Sequence, residues 1–154
     1  AVVAAGGEVK KSLNGSHIGI AFDIELNTNG LRHPIYKGKK NKFCSPAFNF
    51  DEVVTLPKDA TLLASNNINK ISSISFNHEK SEIWGIQYHP EIKYEKMIEL
   101  IKFRKDRLIN QRKAFKSYDE IDHHISLIKN ELSKSEINHR MIELKNWLGS
   151  INGN

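Results

Sequence analysis

Two side chains able to move and steer a proton, His89 and Glu91, stand two residues apart in the stretch Trp84-Gly85-Ile86-Gln87-Tyr88-His89-Pro90-Glu91. In extended backbone, residues at i and i+2 leave the chain on the same side. Pro90 fixes its own φ and biases His89 toward the extended region, which stiffens that arrangement. A carboxylate beside an imidazole sets its tautomer and stabilises its protonated form, which a general base in acyl transfer requires. Each residue also has a plainer reading. His89 could be a structural histidine at a strand end, and Glu91 a first-turn acid that favours a following helix.

Such a pair needs a nucleophile. The single cysteine, Cys44, lies in Lys42-Phe43-Cys44-Ser45-Pro46. It sits beside a proline rather than in a glycine-flanked strand-to-helix elbow, with no helix N-terminus to lower its pKa. Cysteine is also among the most often buried residues, so a structural role is expected.

The elements that must position the pair divide the chain in two. Residues 1–92 read as α/β material. Ala1–Ala5 is expected to end a helix stopped by Gly6-Gly7. Ile18, Ile20, Phe22, Ile24 and Leu26 alternate as one strand, and Asn27-Thr28-Asn29-Gly30 reads as a turn. His33–Gly38 is expected to be irregular or a single helical turn. Phe43–Leu56 holds one or two strands, interrupted at Pro46 and closed by Pro57. Thr61–Ala64, Ile71–Phe76 and Ile83–Tyr88 are further short strands, the last delivering His89 at its end.

Residues 93–154 change to a helical period. Tyr94, Met97, Ile98, Ile101 and Leu108 form one apolar stripe. Ser117-x-x-Glu120 predicts a capping box ahead of Ile121, Ile125, Ile128 and Leu132. Ser133-x-x-Glu136 predicts a second, ahead of Ile137, Met141, Leu144 and Leu148, with Gly149 and the Asn152-Gly153-Asn154 tail as the stop. Three such helices imply a helical extension packed on the α/β part.

Composition limits the function. A chain of 154 residues has room for about one domain, and 39% hydrophobic residues suffice for a core. Mean hydropathy of −0.49 and the lack of an apolar run near the roughly 20 residues of a membrane span argue against membrane insertion. One cysteine excludes an intramolecular disulfide framework and makes a reducing compartment, the cytoplasm, the default. The net charge of +5 is uneven: nine Lys or Arg against three acids lie between Lys93 and Lys116. No recognised nucleic-acid motif accompanies that charge, so nucleic acid is not an expected partner. His17, His33, His78 and His139 make no zinc spacing with Cys44. His123 and His124 point about 100° apart on a helix, and no glycine-rich phosphate loop is present. No metal or cofactor is expected.

Residues 84–91 resemble the segment that bears the catalytic His and Glu of class I glutamine amidotransferases. Upstream segments agree in order and spacing with the stand-alone, GMP-synthase-like group: Gly6–Val9, Asn14–Ala21, Ser45–Val53 and Leu56-Pro57. Asn138–Leu148 resembles the C-terminal helix of that group. The His-Pro-Glu block is fairly specific, whereas the others persuade only in series.

The resemblance implies an incomplete, flavodoxin-like α/β amidotransferase domain followed by a helical extension. It implies that a cysteine thiolate attacks the side-chain amide of L-glutamine, with His89 as acid and base and Glu91 as its orienter. Asn49, Phe50 and Asp51 would hold the amino-acid end of glutamine, mostly through backbone. Asn49 departs from the family, which usually has His there. Ammonia would pass to an acceptor domain or subunit, with purine nucleotide synthesis as the first expectation. Ala1–Val9 matches the stretch just after the family's cysteine elbow. The elbow, one oxyanion-hole loop and the first parallel strands are therefore expected outside this sequence, as a missing N-terminal half of the same domain. The alternative is a non-catalytic interaction or regulatory module that kept the architecture. A peptidase-like member would need a different nucleophile, and none is supplied here.

Overall fold

A computed structural model describes residues 1–152. Its main sheet has five strands in the order β4 (Lys42–Ser45), β3 (Ala21–Leu26), β7 (Thr61–Ser65), β8 (Ser73–His78) and β9 (Ser81–Ile86). Every neighbouring pair in it is antiparallel. Two antiparallel pairs flank it: β1 (Glu8–Lys11) with β6 (Asp51–Thr55), and β2 (His17–Ile18) with β5 (Phe48–Asn49). Residues 43–56 thus supply three strands rather than one or two. Ala1–Ala5 forms hydrogen-bonded turns instead of a helix end, with Gly6 at φ +85° closing them.

The single strand expected over Ile18–Leu26 is two strands with a change of face. Gly19 takes φ +83°, and a Cβ there would lie 2.6 Å from Ile101 Cδ1 and 2.8 Å from Ile128 Cδ1. Asp23 takes φ +52° where the β3–β4 register slips. A one-residue slip moves all later side chains to the opposite face. Ile18, Ile20 and Phe22 therefore pack against helices, while Ala21, Ile24 and Leu26 enter a second cluster with Tyr36, Phe43, Leu63 and Tyr88.

The tetrapeptide expected to be a turn begins a short helix, α1 (Thr28–Arg32). Asn27 caps it: its Oδ1 accepts from Gly30 N at 2.9 Å, and its Nδ2 donates to Leu62 O at 2.8 Å. A Cβ on Gly30 would lie 2.1 Å from Leu63 O, so only glycine lets α1 rest on β7. A 3-10 turn over Pro34–Tyr36 comes next, as expected of that segment.

Helices α2 (Tyr94–Asn110) and α3 (Tyr118–Lys134) bury the expected stripes. Tyr94, Met97, Ile98, Ile101 and Leu108 are buried on α2, and Ile121, Ile125 and Ile128 on α3, with Leu132 only half-buried at the end of its stripe. His124 donates from Nε2 to Ile18 O at 2.6 Å and ties α3 to β2. Ser117 caps α3 by accepting from Glu120 N. The second capping box does not form. Ser133 stays inside α3, where its hydroxyl donates to Asn130 O.

The third helix is broken at Met141 into α4 (Ile137–Arg140) and α5 (Ile142–Asn152). Its expected apolar stripe is not core, since Ile137 is 59% and Leu148 51% exposed. Gly149 lies within α5 rather than ending it, and Gly153-Asn154 lie outside the described residues. The seat of α5 is polar. Asn146 donates to Ile35 O at 2.8 Å and Lys37 O at 3.0 Å, and Glu143 is buried against Lys39 at 2.9 Å. Among the described residues no helix is long and apolar enough to cross a membrane.

Buried polar side chains join β2, β5 and the loop between β7 and β8. Asn66 Oδ1 accepts from Ile68 N and Asn69 N, so its amide nitrogen must face His17 Nε2, at 2.9 Å. His17 therefore carries its proton on Nδ1 and donates to Asn49 Oδ1 at 2.9 Å. Burial pushes its pKa down, and a proton on Nε2 would face the Asn66 amide hydrogens. Burial likewise lowers the pKa of His33, His124 and His139. For each the unfolded state binds a proton more readily than the folded one. Stability should thus be full above the unfolded histidine pKa of about 6.5 and fall as pH drops below it toward the lowered folded values. Melting temperatures between about pH 8 and pH 5 should decline, with a shallower slope in His17→Gln. A flat or rising wild-type curve would contradict this.

Candidate active site

Strand β9 stops at Ile86, two residues earlier than expected, and the chain reaches His89 by an irregular turn. Each residue of that turn is fixed separately. Gln87 N donates to Ser72 O at 2.9 Å. The Tyr88 side chain is buried, accepting from Tyr36 OH at 2.8 Å and donating to Glu143 Oε1 at 2.8 Å. Burial in this cluster pushes the Tyr88 pKa well up, so the phenol stays a donor. His89 N donates to Pro46 O at 2.7 Å, and His89 O accepts from Ile92 N at 3.1 Å.

With its backbone held at both ends, His89 donates from Nδ1 to Glu91 Oε1 at 2.8 Å. Their side chains are 44% and 50% exposed and open to solvent. No hydrogen-bond partner of His89 Nε2 occurs among the described residues. An imidazole whose Nδ1 is fixed by a carboxylate presents Nε2 as the proton-transfer atom.

Asn49 lies beside this turn, since its Nδ2 donates to Gln87 O at 3.1 Å. It sits in β5, and its side chain is engaged by His17 and Gln87. Phe50 turns away into the helix-side cluster, where its ring packs on Phe48 and under Arg112. Asp51 starts β6 and is exposed opposite Lys11. Cys44 packs on the helix side, and burial pushes its thiol up to about 11, with the Glu131 carboxylate adding to the shift. A thiol held so high is almost wholly protonated near neutral pH and is a poor nucleophile.

Several residues that shape the turn were not singled out from sequence. Arg140 donates to the carbonyls of Pro90 and Ile92, and Lys39 and Glu143 anchor Tyr88 from behind. Lys39 belongs to a lysine-rich run that reads as solvated surface. The only available signal for Glu143 was an acid between Ile142 and Leu144.

The family model for class I glutamine amidotransferase matches residues 1–105. The chain belongs to that family. Its sheet and C-terminal helices are consistent with the family's α/β fold. A glutamine amidotransferase of Thermotoga maritima superposes over 95% of this chain and 55% of its own, with a TM-score of 0.61 at 17% identity, a likeness of fold alone. The chain is 39% identical over 95 residues to a gamma-glutamyl-L-1-hydroxyisopropylamide hydrolase of Pseudomonas sp., covering 60% of this chain and 32% of that one. It is 38% identical over 89 residues to a glutamine-hydrolysing GMP synthase subunit from Methanosphaera stadtmanae, covering 58% and 44%. The chain thus spans less than half the length of either relative.

Proposed function

We propose that the protein hydrolyses the side-chain amide of L-glutamine, with His89 as acid and base and Glu91 as its orienter. The observation that carries this reading is the 2.8 Å Nδ1–Glu91 bond on a half-exposed imidazole. A thiolate adds to the amide carbon and gives an oxyanion. His89 passes a proton to the leaving nitrogen, releasing ammonia and a thioester, then takes a proton from the water that converts the thioester to glutamate. With its raised pKa, Cys44 is unsuited to be that thiolate, so the nucleophile comes from outside these 154 residues, with the rest of the α/β domain. Backbone around Asn49, Phe50 and Asp51 holds the amino-acid end of the substrate. Residues 1–92 form the amidotransferase portion and 93–154 its packed helical extension, in a cytoplasmic protein.

The relatives' names favour glutamine, with ammonia passed to a nucleotide-synthesising acceptor, and leave a place for other γ-glutamyl amides. Full-length protein should release ammonia from L-glutamine with saturation. Cys44→Ala should leave the rate unchanged, and the isolated 154-residue chain should be inactive. Absence of release from glutamine and from γ-glutamyl alkylamides alike would favour the non-catalytic module. Hydrolysis by the isolated chain that Cys44→Ala abolishes would make Cys44 the nucleophile.

A further inference from the structure

We propose that Arg140 is the positioning residue of the His89–Glu91 pair, its guanidinium gripping the carbonyls on either side of Glu91. This rests on the functional reading above, but its test reads the imidazole itself rather than turnover, so the two fail separately.

The turn from Gln87 to Lys93 belongs to no helix and no strand. Its buried backbone groups therefore need partners from elsewhere. Pro46 O takes His89 N, and the turn closes on itself from Ile92 N to His89 O. Arg140 Nη1 donates to the carbonyls of both Pro90 and Ile92, to Ile92 O at 2.8 Å. These carbonyls bracket Glu91, so fixing them fixes the backbone from which the Glu91 carboxylate reaches His89 Nδ1.

Arginine suits this task for two reasons. Its planar guanidinium is rigid and always charged, so its donors keep their directions, whereas a lysine ammonium is a point donor on a flexible stem. Arg140 is also buried, and among the described residues no carboxylate lies within ion-pair distance of it. Glu143, one turn along, is already engaged by Lys39 and Tyr88. A buried charge satisfied by two backbone carbonyls is a costly way to fill space that leucine or methionine would fill. It provides instead a defined geometry for the turn. Glu143 supports the same turn one residue earlier through Tyr88. Both residues lie beyond the family-matched span of 1–105, so the helical segment takes part in the site.

The test is ring-nitrogen NMR of histidine-labelled full-length protein, with the His89 signals assigned by their loss in His89→Gln. Wild type should show one neutral tautomer with the proton on Nδ1. Arg140→Ala should show both tautomers, with amide exchange at His89 and Ile92, whose N–H groups bond to Pro46 O and His89 O, rising about tenfold or more once the charged hydrogen bonds are gone. Arg140→Lys should fall between the two. Asn146→Ala removes only the bonds to Ile35 O and Lys37 O, leaves the Arg140 and Glu143 contacts with the turn in place, and should leave the His89 tautomer as in wild type. A folded Arg140→Ala protein with an unchanged tautomer and unchanged exchange would overturn the proposal. So would Asn146→Ala scrambling the ring as much as Arg140→Ala does. Should Arg140→Ala not fold, Arg140→Lys decides by the same two readouts.

Discussion

His89→Ala in the full-length protein should slow glutamine hydrolysis by roughly 10³-fold or more, without a matching loss of stability. The imidazole is half exposed, and among the described residues its side chain makes one hydrogen bond, to the exposed Glu91, so removing it leaves no buried group unpaired. On the proposed mechanism, the chemistry loses the group that protonates the departing nitrogen and later activates water. Glu91→Gln should cost less. A glutamine side-chain oxygen can still accept from Nδ1 at the same place, so only the charge that favours the protonated ring is lost. Steady-state rates of ammonia release, with thermal melts of each variant, separate these effects. An unchanged rate in His89→Ala, or a slower enzyme with Glu91→Gln than with His89→Ala, would remove the assigned roles.

The His89–Glu91 pairing of the candidate site was legible because its signal is local: strand, proline, histidine and glutamate fall within eight residues. Its surroundings were not, because the contacts are long-range. Arg140 reaches Pro90 across 50 positions and Glu143 reaches Lys39 across 104, and neither pair has a spacing that a single sequence can register. Two matching patterns also had different outcomes. Ser117-x-x-Glu120 caps a helix because Ser117 is in extended backbone at φ −150°, ahead of the first turn. Ser133 of the second pattern lies in the last turn of the preceding helix, where its hydroxyl bonds back to Asn130 O instead, while Glu136 falls beyond that helix's end. The alternation of Ile18 through Leu26 was real, but the bulge at Asp23 divided it between two cores. Asn27–Gly30 had turn composition. The Leu62 carbonyl across β7 engages the Asn27 side chain that caps a helix there.

The helical extension gives the second large effect, through Ile128→Asp. Ile128 is fully buried on α3, and its Cδ1 lies against Gly19, where even a Cβ would come within 2.8 Å. Ile121 and Ile125 share the same cluster with Tyr94, Ile98 and Ile101 of α2. An aspartate there loses the packed side chain and places a carboxylate among apolar groups that offer it no donor, which should cost several kcal/mol. Against a total stability of about 5–15 kcal/mol, that is enough to unfold much of the protein near physiological temperature. Lys102, Lys105 and Lys113 are exposed. Changing them to glutamine removes three charges from the basic segment at a cost of roughly 0.5 kcal/mol or less each. Thermal melts of the two variants should therefore differ sharply, although the triple lysine variant changes more residues. The same lysine variant tests whether the positive segment is a nucleic-acid arm, because phosphate binding would show as affinity for duplex DNA that falls steeply with salt. Tight, salt-sensitive binding lost in the lysine variant, together with an undisturbed melt for Ile128→Asp, would make α2 and α3 a binding arm. Weak binding in both proteins and an early melt for Ile128→Asp would identify the helices as part of the core that carries the His89 turn.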